Sequence, residues 1–477
     1  MSLHPLVVDL DGTLIRTDML HESALRLLRD DPLRTLYIPC WLSRGKAALK
    51  QRLADCVGFK PESLPYDDAF LDWLKLQRSE GRPLILCTAS DRAIATAISE
   101  HLGVFDEVMA SDGATNLAGA RKADALESRF GRAGFDYAGN SRADLAVWRR
   151  ARRAVVVNAT PTVLKQAGDC CEVEQVFAAP ASGWPAWRRV LRVHQWLKNL
   201  LVFVPLFAAH RLGDSALWSA LALAFVAFSL CASSVYIVND LLDLDSDRQH
   251  PRKRLRPFAS GQVPAWKGVA LAPLLLFASI ALAWHVSPAF MAWLLAYFVL
   301  TCAYTLALKR VALLDCLALA ALYTLRVIAG AAAADMVLSF WLLAFSGFLF
   351  LSLAFVKRYA ELEVHVLGGR DMAPGRGYFT TDAPMVQALG IASGYAAVLV
   401  FALYVNSDAV RALYHSPEIV WGGVPVLLFW VSWMWMQAHR GHMHDDPLVF
   451  ALRDKASVLA GAAFAAVLGV GTVGWPW

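Results

Sequence analysis

Four aspartates and an asparagine lie close together at the end of a long apolar stretch of this sequence. They form an acidic segment, residues 239–247, which reads Asn239-Asp240-Leu-Leu-Asp243-Leu-Asp245-Ser-Asp247. On a helix, Asn239, Asp243 and Asp247 recur every fourth residue and share one face, with Asp240 beside them. Carboxylate oxygens are the ligands that Mg²⁺ prefers, and Mg²⁺ commonly carries phosphate groups. The spacing therefore predicts a magnesium-dependent diphosphate site.

A basic loop, residues 248–256, follows the acidic segment directly. It contains Arg248, Arg252, Lys253, Arg254 and Arg256. Cationic side chains bind phosphate oxygens through charge-assisted hydrogen bonds, so the loop is suited to hold the remaining charge of the same anion. The alternative is an acidic helix end beside a positive cytoplasmic loop, but that arrangement needs no four-residue spacing.

The composition divides the chain into two parts. Its 477 residues are 57% hydrophobic with a mean hydropathy of +0.43, which is too apolar for a soluble protein of this length. Residues 1 to about 180 are typical of a soluble α/β domain, whereas the rest contains apolar runs close to the roughly 20 residues that cross a bilayer. We predict nine transmembrane helices, at about 192–210, 217–239, 266–286, 289–308, 311–334, 338–356, 385–406, 418–437 and 455–475.

The loops between these segments differ in charge. Lys and Arg concentrate in the loops after even-numbered spans, while the opposite loops contain Arg211 and Arg411. The positive-inside rule then predicts a multi-pass protein of the inner (cytoplasmic) membrane, with the N-terminal domain in the cytoplasm. The basic balance comes from these loops and does not indicate nucleic acid as a partner. Scattered cysteines predict reduced thiols rather than a disulfide framework.

Polar side chains follow three short apolar strands in the N-terminal part. Asp9 and Asp11 end the first strand, Thr88 ends the second, and Asn140 and Asp144 follow the third. Strands that alternate with helices predict an open parallel sheet, with its site at the carboxyl ends of the strands. Alternation puts Asp9 and Asp11 on one side of the strand end. One can act as nucleophile or magnesium ligand and the other as acid or base.

These pieces, together with Lys122, resemble the haloacid dehalogenase-like (HAD) phosphohydrolases over residues 5 to about 160. The resemblance implies that Asp9 forms an aspartyl-phosphate and that Asp11 protonates the leaving group. It further implies that Thr88 and Lys122 bind the phosphate. The implied magnesium ligands are Asp9, Asp11, Asn140 and Asp144.

The family usually has Asp where this chain has Asn140, which leaves open an active phosphatase or a degenerate scaffold domain. Residues 16–80 resemble a small helical cap. Within it, the apolar stretch 36–42 is expected to face either the bilayer or the core of the cap.

The acidic segment, the nine spans and the basic loops resemble the UbiA-type intramembrane prenyltransferase superfamily over about 188–475, an all-helical fold. That superfamily has a second acidic motif after the sixth span, where this chain has Lys357, Arg358 and Glu361. These three residues, together with the motif Trp196-Leu-Lys198-Asn199, resemble the decaprenyl-phosphate phosphoribosyltransferases, one branch of this superfamily. The resemblance implies that Asp240, Asp243 and Asp247 are catalytic and hold Mg²⁺ on the donor diphosphate. The implied substrate-binding residues are Lys198, Asn239, Lys253, Arg254, Lys357, Arg358 and Glu361.

Two charged residues lie inside the fifth predicted span. Arg326 is costly at that depth and predicts a polar cavity that binds substrate, although a cation near a span end can instead reach the interface. Asp315 is either a structural partner or a site residue. The loop 439–446 contains histidines and aspartates, and we expect it to be solvated rather than a metal site.

The sequence thus predicts three parts: a HAD-like phosphatase domain at 1–160, a linker at 161–187 and a membrane transferase domain at 188–477. The function implied is transfer of phosphoribose from phosphoribosyl pyrophosphate (PRPP) to a polyprenyl phosphate. Removal of the 5-phosphate would then give polyprenyl-phosphoryl ribose for a cell-envelope glycan. The alternative is an aromatic prenyltransferase that uses polyprenyl diphosphate and carries a non-catalytic HAD domain.

Overall fold

The computed structural model describes residues 4–112, 115–181, 183–367, 376–443 and 446–474. The chain forms two compact units, each built from two stretches of sequence. The first unit is Met1–Leu191 with Tyr236–Ala272, and the second is Arg192–Val235 with Pro273–Trp477. The acidic segment and the basic loop therefore belong to the same unit as the N-terminal domain, although the sequence assigns them to the membrane domain.

A six-stranded parallel sheet forms the centre of the first unit. Its strands are β1 (Leu6–Val8), β2 (Leu84–Asp91), β3 (Glu107–Ser111), β4 (Asp136–Gly139), β5 (Arg153–Val157) and β6 (Glu172–Phe177), in the spatial order β3-β2-β1-β4-β5-β6. Short Val- and Leu-rich runs with both faces buried are typical of parallel strands. The predicted α/β fold with an open parallel sheet is confirmed.

The predicted linker at 161–187 contains regular structure. The helix Pro161–Cys170 and strand β6 lie in it, and β6 pairs in parallel with β5. β6 is half exposed along its length, and a strand of mixed polarity at a sheet edge gives a weak sequence signal. The other helices of this unit's N-terminal stretch are Met19–Asp30, Pro32–Tyr37, Ile38–Ser43, Lys46–Cys56, Pro61–Ser63, Asp68–Ser79, Arg92–Leu102, Ala120–Phe130, Arg142–Asp144, Leu145–Trp148 and Trp184–Val190.

The helices between β1 and β2 include a small cap with a core of its own. That core consists of Leu27, Leu49, Leu53 and Val57. The apolar stretch 36–42 is divided between two environments: Ile38 and Trp41 pack against the cap core, while Leu36 and Tyr37 are exposed.

Eight helices among the described residues are long and apolar enough to cross a membrane. They are Ser215–Leu242, Ala265–Val286, Pro288–Leu306, Leu314–Ala333, Phe340–Val366, Thr380–Val405, Pro417–His439 and Lys455–Val473. Each corresponds to one of the last eight predicted spans, which confirms the all-helical membrane region.

The first predicted span, at 192–210, takes a different form. It consists of a 3₁₀ helix, Val193–Phe203, followed by a short α-helix, Val204–Ala208. Pro205 lies at the start of the second helix, and because proline has no backbone N–H it interrupts the hydrogen bonding of a helix that reaches it from before. Apolarity and length alone do not reveal this break.

This two-part helix nevertheless runs along the part of the following span between Trp218 and Ser233. Near its start, the Trp196 Nε1 donates a hydrogen bond to the Ser233 Oγ at 3.0 Å. Near its end, the ring of Phe207 contacts the ring of Trp218, with 6.1 Å between centroids. The contacts move backward along one partner as they move forward along the other, so the two segments form an antiparallel helical hairpin.

Gly261, in the loop before the helix Ala265–Val286, generates a prediction about stability. Its φ is +71°, and a Cβ at this position would lie 2.5 Å from the backbone oxygen of Arg16. Both the left-handed backbone and the clash oppose a side chain, so Gly261→Ala should lower the free energy of unfolding by about 2 kcal/mol. The measurement is the melting temperature of the purified protein in detergent.

Gly58→Ala is the matched control, because nothing lies within 4 Å of its Cβ position. It should change stability by less than about 0.5 kcal/mol. Equal melting temperatures for the two variants would contradict the tight packing of this loop.

Candidate active sites

The first site lies at the carboxyl end of the parallel sheet. Asp9 follows β1, and its Oδ1 accepts a hydrogen bond from the Lys122 Nζ at 2.6 Å. The Thr13 Oγ1 donates to the other Asp9 oxygen at 3.4 Å. Burial raises the pKa of Asp9 to about 7, against the opposing charge of Lys122. The structure thus brings Asp9 and Lys122 together in a buried pair, as expected for a nucleophile beside a phosphate-binding cation.

Asp11 is held by the end of β2 and by the start of the first cap helix. Its Oδ2 accepts hydrogen bonds from Ser90 at 2.6 Å and from Thr88 at 3.4 Å. Its Oδ1 accepts one from the Met19 backbone N–H at 2.8 Å. Burial raises the pKa of Asp11, which favours the protonated form that a general acid needs. Thr88 therefore contacts the acid and not the nucleophile.

Asn140 and Asp144 lie beside this pair. A Cβ on Gly12, whose φ is +79°, would meet the Asn140 Nδ2 at 1.9 Å, so Asn140 packs directly on the loop between Asp9 and Thr13. Asp144 accepts hydrogen bonds from Tyr137 at 2.7 Å and from the Asn140 backbone N–H at 3.1 Å.

Tyr137 is a site residue that the sequence did not reveal. Its hydroxyl also accepts from Lys122 at 3.1 Å, which joins Asp9, Lys122, Tyr137 and Asp144 into one buried network. Burial raises the pKa of Tyr137 well above its usual value, so it remains a neutral donor. In sequence it is an ordinary apolar strand residue, and only the neighbouring strand and helix give it polar partners.

Asp9, Asp11, Lys122, Asn140 and Asp144 line a cavity of about 430 Å³. Its wall also includes Arg16, Thr17, Asp18, His21, Lys50, Ala89, Gly119, Ser141, Pro264, Ala265 and Trp266. A cavity with a buried carboxylate–lysine pair at one end can receive a phosphate monoester.

The second site is the acidic segment. The helix Ser215–Leu242 ends just before Asp243, and a short helix, Leu244–Gln249, follows. The backbone N–H of Asp243 donates to the backbone carbonyl of Asn239 at 2.9 Å, and that of Asp247 donates to the backbone carbonyl of Asp243 at 2.8 Å. The four-residue helical spacing is therefore kept across the join.

Asp240 and Asp247 converge on one cation. The Arg256 Nη1 lies 3.1 Å from the Asp240 Oδ1 and 2.6 Å from the Asp247 Oδ2. The Asp247 Oδ1 is buried and has no hydrogen-bond partner among the described residues. Burial raises the pKa of Asp247 although Arg256 opposes the shift. A buried carboxylate oxygen without a partner is costly, and a cation bound there would satisfy it.

The other predicted residues of this region occupy different environments. Asp243, Lys253 and Arg254 are exposed, and Asn239 is half-buried. Asp245 is engaged elsewhere: it accepts from Arg26 at 2.6 Å and from Arg29 at 2.7 Å, both on the first cap helix.

The second unit contains a buried cluster of two lysines around one carboxylate. Asp446 lies 2.7 Å from the Lys198 Nζ and 3.5 Å from the Lys357 Nζ, and it accepts from the Tyr323 hydroxyl at 2.9 Å. Burial acts to raise the pKa of Asp446, but the two lysines lower it overall. Two lysines thus lie beside one buried carboxylate.

The loop 439–446, expected to be solvated, is exposed at residues 439–442, whereas Asp446 is buried. Asp446 caps the helix Pro447–Ala451 and is 9% exposed, and the His439 Nδ1 lies 2.9 Å from the Tyr359 hydroxyl. His444 and Asp445 lie outside the described residues. An Asp-Pro pair signals a helix start in sequence, but it does not reveal that two distant lysines bury the carboxylate.

Arg358 lies in an internal ion-pair network. It is fully buried, and its Nε donates to Asp315 at 2.6 Å. It also pairs with Glu361, while Arg376 lies 3.1 Å from the second oxygen of Asp315. Of the two alternatives for Asp315, this favours the structural partner.

Arg326 faces the polar surroundings expected of a buried cation. It donates to the Asn199 Oδ1 at 2.9 Å and to the Tyr297 hydroxyl at 3.0 Å, and its guanidinium lies 4.7 Å from the Tyr297 ring centroid. A third hydrogen bond goes to the Leu322 carbonyl of its own helix.

No group of three or more His, Cys, Asp or Glu side chains is arranged to hold a metal ion among the residues that the structure describes. The acidic segment instead offers two convergent carboxylates. Mg²⁺ is commonly bound through one or two carboxylates together with water and substrate phosphates. The donor set of Asp240 and Asp247, with the unpartnered oxygen of Asp247, fits that mode.

Comparison with known families gives the membrane part its identity. Residues 200–474, more than half of the chain, match the UbiA prenyltransferase family. The chain belongs to the UbiA prenyltransferase family. Residues 6–149 match the haloacid dehalogenase-like hydrolases, so this UbiA family member carries a HAD hydrolase domain at its N-terminus. Family and apolar helices together make it an integral, multi-pass membrane protein.

The chain is also similar to individual bacterial proteins. An uncharacterized protein, y4nM, of Sinorhizobium fredii is 39% identical over 97% of this chain and 90% of its own. The nodulation protein NoeC of Azorhizobium caulinodans is 38% identical over 56% of this chain and 87% of its own. A decaprenyl-phosphate phosphoribosyltransferase of Mycobacterium tuberculosis is 32% identical over 59% of this chain and 92% of its own.

The Asp446 cluster leads to a prediction about stability. Asp446→Asn leaves two lysines beside a neutral amide, and breaking such a buried pair costs about 3–5 kcal/mol. The melting temperature in detergent should fall, and Asp214→Asn is the control because its pair with Arg211 is exposed. That variant should lose less than about 1 kcal/mol. If the two variants melt alike, Asp446 does not hold the lysines.

Proposed function

We propose that this protein transfers phosphoribose from PRPP to a polyprenyl phosphate, releasing diphosphate, and that its HAD domain then removes the 5-phosphate. The product is a polyprenyl-phosphoryl ribose, a lipid-linked precursor for a cell-envelope glycan. The observation that carries the proposal is the pair of convergent, buried carboxylates of Asp240 and Asp247 in a chain related to decaprenyl-phosphate phosphoribosyltransferases.

The acidic segment would bind the diphosphate of the donor. Asp240, Asp243 and Asp247 would hold magnesium, with Asn239 assisting, and Mg²⁺ would supply the positive charge that stabilises the leaving diphosphate. Arg256 now lies between the two buried carboxylates. Because a guanidinium also binds phosphate in a bidentate manner, it is suited to turn toward the diphosphate when the carboxylates bind metal.

Cations of the chain would bind the other phosphates. Lys198 and Lys357 both lie beside the carboxylate of Asp446, and their ammonium groups would contact a substrate phosphate. Lys253 and Arg254 are exposed on the basic loop and free to follow a mobile substrate phosphate. Arg358, Glu361 and Arg326 would act by holding the helices and charges around them.

Hydrolysis by the HAD domain would use two carboxylates in turn. An Asp9 oxygen attacks the phosphorus, the bond from phosphorus to the sugar O5 breaks, and Asp11 gives its proton to that oxygen. Water then attacks the aspartyl-phosphate, Asp11 takes the water's proton, and inorganic phosphate leaves. Lys122 holds the phosphate charge, and Asn140 and Asp144 offer further oxygen ligands for Mg²⁺.

The two steps suit one chain because the first product remains in the membrane. A substrate confined to the leaflet in which the enzyme sits is present at a high effective concentration at the second site. PRPP is charged and cytoplasmic, so we expect the HAD domain on the cytoplasmic side of the inner membrane.

The first step is tested with radiolabelled PRPP, polyprenyl phosphate and Mg²⁺. Asp247→Asn removes ligand charge and should reduce labelled lipid by about 100-fold. Asp245→Asn is the matched control: it removes the same charge from the same segment, but its carboxylate pairs with Arg26 and Arg29. It should keep activity within about threefold of wild type per folded molecule.

Wild-type activity in Asp247→Asn would exclude the metal assignment. If the protein instead joins a polyprenyl diphosphate to an aromatic acceptor and leaves PRPP unused, the prenyltransferase alternative is correct.

The second step is tested by separating lipid products by charge. Asp9→Asn removes the nucleophile, so transfer should continue while the 5-phosphorylated lipid accumulates. Wild type should release one inorganic phosphate for each lipid converted, measured at millimolar Mg²⁺ because Asn140 is a weaker ligand than Asp. Identical phosphorylated products from wild type and Asp9→Asn would show that the HAD domain is not this phosphatase.

A further inference from the structure

The wall of the HAD cavity is not formed by the N-terminal sequence alone. Pro264, Ala265 and Trp266 line the same cavity of about 430 Å³ as Asp9 and Lys122. These three residues lie far along the chain from the sheet, after the basic loop. Without this segment, the cavity would lack the part of its wall that Pro264, Ala265 and Trp266 form.

Specific contacts hold this segment in place, one of them at Arg16, near the loop that follows Asp9. Gly261 approaches the backbone of Arg16 so closely that a Cβ would lie 2.5 Å from its oxygen. The Arg189 Nη2 donates to the Gln262 Oε1 at 2.7 Å. Arg248 donates to the Ala259 carbonyl at 3.1 Å. These contacts at three points along 259–262 fix the position of the residues that follow, Pro264, Ala265 and Trp266.

Trp266 lies where the chain enters an apolar helix. It is the second residue of Ala265–Val286, which is long and apolar enough to cross a membrane. Half of its surface is exposed, and the Lys267 Nζ lies 5.8 Å from its ring centroid. Trp with a neighbouring Lys at a span end is typical of the membrane–water interface.

The lining of the cavity therefore combines two kinds of chemistry. Asp9 and Lys122 form a charged, buried pair that fits a phosphate, while Arg16 and Lys50 add cations to the wall. Trp266 supplies a flat apolar surface of the kind that packs on the face of a sugar ring. Trp266 lies in the first turn of a helix that is long and apolar enough to cross a membrane. A lipid attached to that sugar would therefore have a short distance to cover between the cavity and the bilayer.

We infer that this cavity takes a sugar phosphate carried on a membrane lipid and that Trp266 determines its preference for the lipid-linked over the soluble substrate. The inference rests on the proposed function, whose second step it specifies. Trp266 contributes binding, whereas Asp9 and Asp11 carry out the chemistry.

The experiment measures kcat/KM of the full-length protein in detergent micelles for two substrates. One is the 5-phosphoribosyl polyprenyl phosphate, and the other is soluble ribose 5-phosphate. In Trp266→Ala, the ratio of the lipid-linked to the soluble value should fall at least about tenfold, mainly through a higher KM for the lipid. Trp266→Phe retains an aromatic face and should keep most of the ratio. Trp284→Ala, at the other end of the same helix and largely exposed, should leave the ratio unchanged.

Three other results would contradict the inference or the proposed function. If wild type hydrolyses the lipid and Trp266→Ala keeps the same ratio, the inference is wrong while the proposed function stands. If Trp266→Ala lowers both values by one factor, Trp266 has a structural role and the inference again fails. If wild type hydrolyses no phosphoribosyl lipid at all, the second step of the proposed function fails as well.

Discussion

A buried ion pair between Glu22 and Arg248 determines where the acidic segment lies in the first unit. Their closest oxygen and nitrogen are 2.6 Å apart, and both side chains are almost fully buried. Burial acts to raise the pKa of Glu22, but Arg248 and the Thr17 hydroxyl lower it, so the pair is charged at neutral pH. Glu22 lies in the first turn of the helix Met19–Asp30, which follows the loop after Asp9, and Arg248 follows Asp247 directly. One interaction therefore fixes the loop after Asp9 and the acidic segment to each other.

Similar constraints govern the charges of the second unit. Carboxylates in an apolar surrounding persist only when cations and hydroxyls satisfy them. Asp315 therefore has Arg358 and Arg376, and Asp446 has Lys198, Lys357 and Tyr323. These carboxylates therefore hold several cations of the second unit inside the protein.

Much of this structure follows from the sequence, because its strongest signals are local. Short buried strands that end in Asp9, Thr88 and Asn140 predict the parallel sheet, and apolar runs near 20 residues predict eight helices closely. Other features depend on distant partners. Tyr137 and Asp446 are ordinary in sequence and acquire polar partners only through folding. The division of 193–208 into two helices depends on a single proline. Strand β6 forms at the edge of the sheet by pairing with β5, and no alternation of apolar and polar residues marks it in the sequence. The grouping of 236–272 with the N-terminal domain comes from ion pairs that join residues more than 200 positions apart.

The discontinuous first unit has a consequence for biogenesis. Its two stretches, Met1–Leu191 and Tyr236–Ala272, are separated by the antiparallel hairpin that begins the membrane region. Domains fold in order as the ribosome releases them, so the sheet can form early, but Arg248, Gly261 and Trp266 reach it only after the hairpin has been synthesised. Until then, Glu22 lacks its ion-pair partner Arg248, and the cavity lacks Pro264, Ala265 and Trp266 from its wall. The cavity of the HAD domain is therefore complete only after the first helical hairpin has been synthesised.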